Sequence, residues 1–125
     1  MINADRIYVG AKYDLYQITN HGKSPLEDFF KSLTKENKNK IIALLQSTAD
    51  HGLPSNTEKY KKLHCKEIKL NEFKAHQIRI FCALDGKKII LSNGFLKKSN
   101  KTSKAEINRA KSLLKAETTT QKLVY

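Results

Sequence analysis

The chain has 125 residues, 39% of them hydrophobic, which suits one domain with one modest core and excludes two. Its 24 Lys and Arg against 12 Asp and Glu leave a net charge of +12, pointing to a polyanionic partner through steering and counterion release. No apolar run is long enough to cross a bilayer and no signal-peptide core is present, so a cytoplasmic protein without membrane contact is expected. Cys65 and Cys82 lack metal-ligand spacing and read as free thiols. His21, His51, His64 and His76 are scattered, with no HExxH pattern, so neither a metal site nor a cofactor is expected.

Residues 6–9 and 13–18 alternate as strands on either side of Gly10, the second more clearly, and Asn20-His21-Gly22 is a turn. Ser24 reads as an N-cap, with Pro25 at the first helical position and Glu27 closing a capping box. Leu26, Phe29, Phe30 and Leu33 form the apolar stripe of this short helix. Thr34 caps a second helix running to about residue 50, with Gly52 as its stop. Ile41, Ile42, Leu44, Leu45, Thr48 and Ala49 recur on it at helical spacing, while Lys35, Lys38 and Lys40 lie on its solvated side. Residues 65–70 alternate as a strand with Lys69 on the polar side, and residues 71–77 read as a polar turn.

Residues 78–102 organise the chain. Two apolar runs flank Asp85-Gly86, a strong hairpin signal. A turn on those two residues sets Leu84 opposite Lys87, Cys82 opposite Ile89, Ile80 opposite Leu91 and Arg79 opposite Ser92. One face then carries Ile78, Ile80, Cys82, Leu84, Ile89 and Leu91. The other carries Arg79, Phe81, Ala83, Ile90 and Ser92, joined by Lys98 if no bulge intervenes. Ser103 and Glu106 form a further capping box, opening a helix over residues 104–116 with Ile107, Ala110, Leu113 and Leu114 as its stripe. The expected fold is α+β, two helices on a small, mainly antiparallel sheet in the order β-α-α-β-β-β-α. One domain spans residues 1–116, followed by a loose tail over residues 117–125.

The residues that can carry chemistry are Lys69, Arg79, Lys97, Lys98 and Lys101. On adjacent strands ~4.8 Å apart they can converge on one anionic group. Such a cluster can simply bind phosphate. It can also cleave RNA, because the ribose 2′-OH is a built-in nucleophile that needs a base, cations for the extra phosphate charge and an acid for the 5′ oxygen. Arginine stays protonated, whereas a lysine crowded by cations has a lowered pKa and can transfer protons. Taken alone, the cluster fits binding better than catalysis.

Three pieces together resemble the RelE/HigB toxin superfamily in its phage Gp49-like branch. They are Ser24-Pro25-Leu26-Glu27-Asp28-Phe29-Phe30 with His51-Gly52-Leu53-Pro54; Glu67-Ile68-Lys69 followed by Arg79-Ile80-Phe81; and Gly94-Phe95-Leu96-Lys97-Lys98 with Lys101-Thr102, Glu106-Ile107 and Ala110. The resemblance implies a RelE-like fold and the toxin of a type II toxin–antitoxin pair. Such toxins cut mRNA in the ribosomal A site without a metal, and their usual partner is a helix-turn-helix, HigA-like antitoxin. By position, Lys69, Arg79 and Lys98 are the implied catalytic residues, and Lys66, Lys74, His76, Lys97 and Lys101 the implied RNA contacts. Asn93 stands where some relatives have a histidine. A ParE-like inhibitor of DNA gyrase, which shares the fold, and a non-catalytic RNA- or antitoxin-binding module remain the alternatives.

Overall fold

A computed structural model describes residues 2–63, 65, 68–98 and 104–124, with side chains through residue 117. Strands β1 (Ile2–Val9) and β2 (Asp14–Asn20) lead into α1 (Pro25–Lys31) and α2 (Lys35–His51). Four further strands follow, β3 (Tyr60–Leu63), β4 (Leu70–Ala75), β5 (Ile78–Asp85) and β6 (Lys88–Leu96), and α3 (Lys104–Val124) closes the chain. They form one six-stranded sheet in the order β1-β2-β6-β5-β4-β3. Every pairing is antiparallel except β2 with β6. The architecture is α+β as expected, but the order is β-β-α-α-β-β-β-β-α, with a mixed sheet.

The starts of α1 and α2 form where the caps place them, and Ser103, the cap expected for the last helix, lies outside the described residues. The Ser24 hydroxyl accepts from the Glu27 amide, and the Thr34 hydroxyl from the Asn37 amide. Glu27 does not complete a capping box, because its carboxylate accepts from Gln17 Nε2 on β2 instead, at 2.9 Å. That bond ties α1 to the sheet. Gly52 ends α2 as the glycine stop predicts. Helix α3 runs on to Val124, past the predicted stop near residue 116.

The sheet is covered on both sides. Helices α1 and α2 bury one face through Leu26, Ile41, Leu45 and Ala49 against Leu15, Phe73, Ile78, Ile80, Cys82, Ile89 and Leu91. Helix α3 lies on the other, where Ala110 and Leu114 meet Ile18, Leu70, Phe81 and Ile90. The predicted facing of the hairpin therefore holds. Both cysteines are free, and Cys82 is fully buried, which pushes its thiol pKa up.

The register differs from the expectation in two ways. The turn residues are Gly86-Lys87, with Asp85 opposite Lys88. Gly86 takes φ 58° at the first central position, where a type II′ turn needs glycine, and Asp85 and Lys88 close it as an opposite-charge pair. A slide of this size keeps every side chain on its face. Further along, a bulge between Ile80 and Cys82 puts Ile80 opposite Gly94 and Arg79 opposite Phe95, not Ser92. The extra residue flips the parity of the end of β6, so that Phe95 and Lys97, rather than Lys98, follow on the Arg79 side.

The strand expected over residues 65–70 lies elsewhere. Residues 65, 68 and 69 precede β4, and the segment read as a polar turn is β4 itself. Asn71 and Glu72, on opposite faces, are 5% and 3% exposed. Two buried polar residues in succession hide the strand from any hydrophobic pattern.

Gly94 marks a close approach. A Cβ there would lie 2.4 Å from Phe29 of α1 and 2.6 Å from Ile80. We expect Gly94→Ala to cost about 1–3 kcal/mol through overpacking, read by urea unfolding, and to cost less in a Phe29→Ala background. Equal costs in the two backgrounds would show that the ring is not what the glycine accommodates.

Candidate functional site

Helix α3 covers the sheet over β1, β2, β6 and part of β5. The β3–β4–β5 end of the same face carries charge. Cross-strand pairing sets Lys61 opposite Glu72, and Lys74 opposite Arg79. Lys97 comes in beside them from the end of β6, where its backbone amide donates to the Gln77 carbonyl at 2.7 Å. The Phe81 and Phe95 rings, stacked at 5.5 Å, border this patch.

At its centre is a buried acid. Burial pushes the Glu72 pKa up, against the pull of Arg79, Lys74, Lys97 and Lys61. The Arg79 Nε lies 3.8 Å from Glu72 Oε1, an electrostatic contact too long for a hydrogen bond. Both that Nε and Glu72 Oε2 are buried without a hydrogen-bond partner. The guanidinium is held instead by Nη1, which donates to the carbonyls of His76 at 2.6 Å and Ile78 at 2.9 Å. His76 presents that carbonyl from a left-handed backbone, φ 56°.

Among the described cations, Lys74 is the one whose pKa clearly departs from its ordinary value. Burial lowers its pKa first, Glu72 opposes this, and Lys61, Arg79 and Lys97 lower it further. A lysine in this state has an enlarged neutral fraction and can accept a proton. Arg79 and Lys97 meanwhile offer charge to an anion. A phosphate and a proton acceptor can therefore meet on one strand end.

The structure brings together Lys74, Arg79 and Lys97 of the predicted residues. It does not bring Lys69 to them. Lys69 is exposed before β4, beside Lys62, Leu70 and Leu84 near the opposite end of β5, on the order of 15 Å away at ~3.3 Å per residue. Lys98 is exposed just beyond Lys97, and His76 is exposed in the β4–β5 turn. Lys66 and Lys101 lie outside the described residues. Asn93 is fully buried and faces α3, donating from Nδ2 to the Glu106 carboxylate at 3.2 Å while accepting from the Ser92 hydroxyl at 2.9 Å. Its role is to hold the start of α3 on β6.

Glu72 and Lys61 escaped the sequence reading. The missed signal is a repeated triplet: Glu-apolar-Lys occurs at residues 67–69 and again as Glu72-Phe73-Lys74. The second copy is the one that faces Arg79. Among the described residues no group of His, Cys, Asp and Glu is arranged to hold a metal ion, and no helix is long and apolar enough to cross a membrane.

Residues 28–115 match the family described as phage-derived protein Gp49-like (DUF891). The chain belongs to this family, within the RelE/HigB-like toxin superfamily. No curated protein matches it. The matched span runs from α1 into α3 and includes the whole charged patch.

The burial of Glu72 has a signed consequence. Above the ordinary carboxylate value of 4.5 the folded protein keeps a proton that the unfolded chain has released. Stability must then fall as pH rises through the window between the two pKa values. We expect Glu72→Gln, which cannot titrate, to flatten that fall in urea melts taken from about pH 4.5 upward. Parallel pH slopes for the two proteins would contradict the raised pKa.

Proposed function

We propose that this member of the Gp49-like family is the toxin of a type II toxin–antitoxin pair and cuts mRNA bound in the ribosomal A site. Family membership supports a toxin-like module of the RelE/HigB type. The observation that carries the finer reading is the convergence of Lys74, Arg79 and Lys97 around buried Glu72.

In this reading the scissile phosphate sits against Arg79. The Lys74 Nζ, in its neutral form, takes the proton of the ribose 2′-OH. The 2′ oxygen then bonds to phosphorus, and Arg79 stabilises the charge gathered on the phosphoryl oxygens. The bond from phosphorus to the 5′ oxygen breaks, and that oxygen takes a proton from the ammonium of Lys97. The products are a 2′,3′-cyclic phosphate and a free 5′-hydroxyl. Lys74 replaces Lys69 as the basic partner of Arg79, since it is the residue directly across the strand pair. Glu72 holds the cations together and keeps the Lys74 pKa from falling further. The ribosome supplies the positioning of the mRNA that an open sheet surface lacks. An antitoxin is the expected protein partner, relieving the cell of the activity by covering this surface or a neighbouring one.

Toe-printing on translating ribosomes tests the reading. The parent protein is expected to cut inside codons, and a 2′-deoxy substitution at the attacked ribose to block the cut. Arg79→Ala and Lys74→Met should each slow single-turnover cleavage by roughly 100-fold or more. Undiminished cleavage by both variants would remove the assignment. Inhibition of DNA supercoiling with mRNA left intact would select the ParE-like alternative, and salt-dependent RNA binding without cleavage a binding module.

A further inference from the structure

At the end of the sheet away from the charged patch, a cleft of about 500 Å³ opens where the β3–β4 connection meets the end of β5, a size that admits a small ligand. Lys62 of β3 and Lys69, which the charged patch leaves aside, bring two exposed cations to it. Leu63 and Leu84 give it an apolar wall, and among the described residues its lining contains no acid. Being at the strand ends, the cleft is lined from both faces of the sheet. Asn71 lies across the strands from Lys62 and Cys82, while Cys65 borders the Leu70 cluster on the α3 side.

Two groups in this lining are unused by the fold. Asn71 is 5% exposed, yet its side-chain amide finds no hydrogen-bond partner among the described residues. A buried amide left open costs free energy that a polar group of a ligand recovers. Cys65 is a free, half-buried thiol, and its amide is set by donating to the Leu63 carbonyl at 3.1 Å. Cys82 is wholly buried, so a reagent in water reaches Cys65 alone. The cleft thus gathers a thiol, an open amide and two ammonium groups around one space. The matching ligand carries a thiol, a peptide group and carboxylates.

We propose that Cys65 is a site of mixed-disulfide formation with a small peptide thiol bearing carboxylates. The Cys65 Sγ, as thiolate, attacks one sulfur of the disulfide dimer of that ligand. The new Sγ–S bond forms as the S–S bond of the dimer breaks. The electron pair leaves on the second sulfur, which takes up a proton in place of the one Cys65 gave up. Cys65 is oxidised and one half of the dimer is reduced. Lys62 and Lys69 hold the carboxylates, and Asn71 meets the peptide group. This chemistry is independent of the RNA reading, since it uses neither Arg79 nor Lys74.

Oxidised glutathione is the probe, added to the native full chain, with adducts counted by intact mass and located by peptide mapping. One glutathionyl group on Cys65 is expected, and none on Cys82. Lys62→Gln/Lys69→Gln should react with it roughly tenfold more slowly, the scale on which a charged cleft raises encounter rates. The same variant should keep the parent's rate with the uncharged bis(2-hydroxyethyl) disulfide. Lys35→Gln/Lys38→Gln, which removes as much charge from the exposed side of α2, should keep the parent's rate with both reagents. Four results would each overturn the proposal. They are an adduct on Cys82 or on neither thiol, a Lys62→Gln/Lys69→Gln protein that reacts like the parent, an equal slowing of that protein with the uncharged reagent, and an equal slowing of Lys35→Gln/Lys38→Gln.

Discussion

The Glu72 carboxyl lies almost wholly out of water, with the Arg79 guanidinium at its edge and three lysines around it. A buried carboxyl resists ionising, and a cluster of cations resists being assembled. Each cost is reduced by the other. Without the acid, Lys61, Lys74, Arg79 and Lys97 would repel one another on neighbouring strands. Without the cations, the acid would sit neutral among apolar neighbours. The charged end of the sheet rests on this mutual compensation; burial lowers the Lys74 pKa against the pull of Glu72, and the His76 and Ile78 carbonyls fix the aim of Arg79.

The rest of the described fold prepares that end, and α3 packs over the other half of the face. The bulge in the β5–β6 pairing turns Lys97 rather than Lys98 toward Arg79. Gly94 lets Phe29 lie against β6 on the opposite face, so α1 seats tightly behind the site. Asn93 and Glu106 hold α3 over the other half of the same face, beside the patch and not on it. The Gly-Phe-x-Lys-Lys run is thus a string of separate jobs: close packing, a ring stacked on Phe81, and a cation delivered to the patch.

Much of this was legible in the residues. Caps at Ser24 and Thr34 and the stop at Gly52 depend on local chemistry and appear where expected. The two faces of the hairpin follow from alternation and survive even a shifted turn. What alternation cannot reveal is β4. Asn71 and Glu72 are polar yet buried, Glu72 because partners from β3, β5 and β6 surround it. Those partners are remote in sequence, so a local pattern reads the segment as a turn. The same blindness hides Lys74 as the lysine paired across the strands with Arg79. The bulge is invisible for a related reason, since it is set by how Ser92 and Asn93 bond across to Phe81 and α3.

The most direct measurement is the titration of Lys74 itself, followed by NMR of lysine side chains labelled at Cε. In the free protein its resonance should titrate below the ordinary lysine value of 10.5. On adding a non-cleavable RNA, phosphate should favour the ammonium and move the midpoint upward. A Lys74 that titrates at the ordinary value and does not respond to RNA would contradict the account.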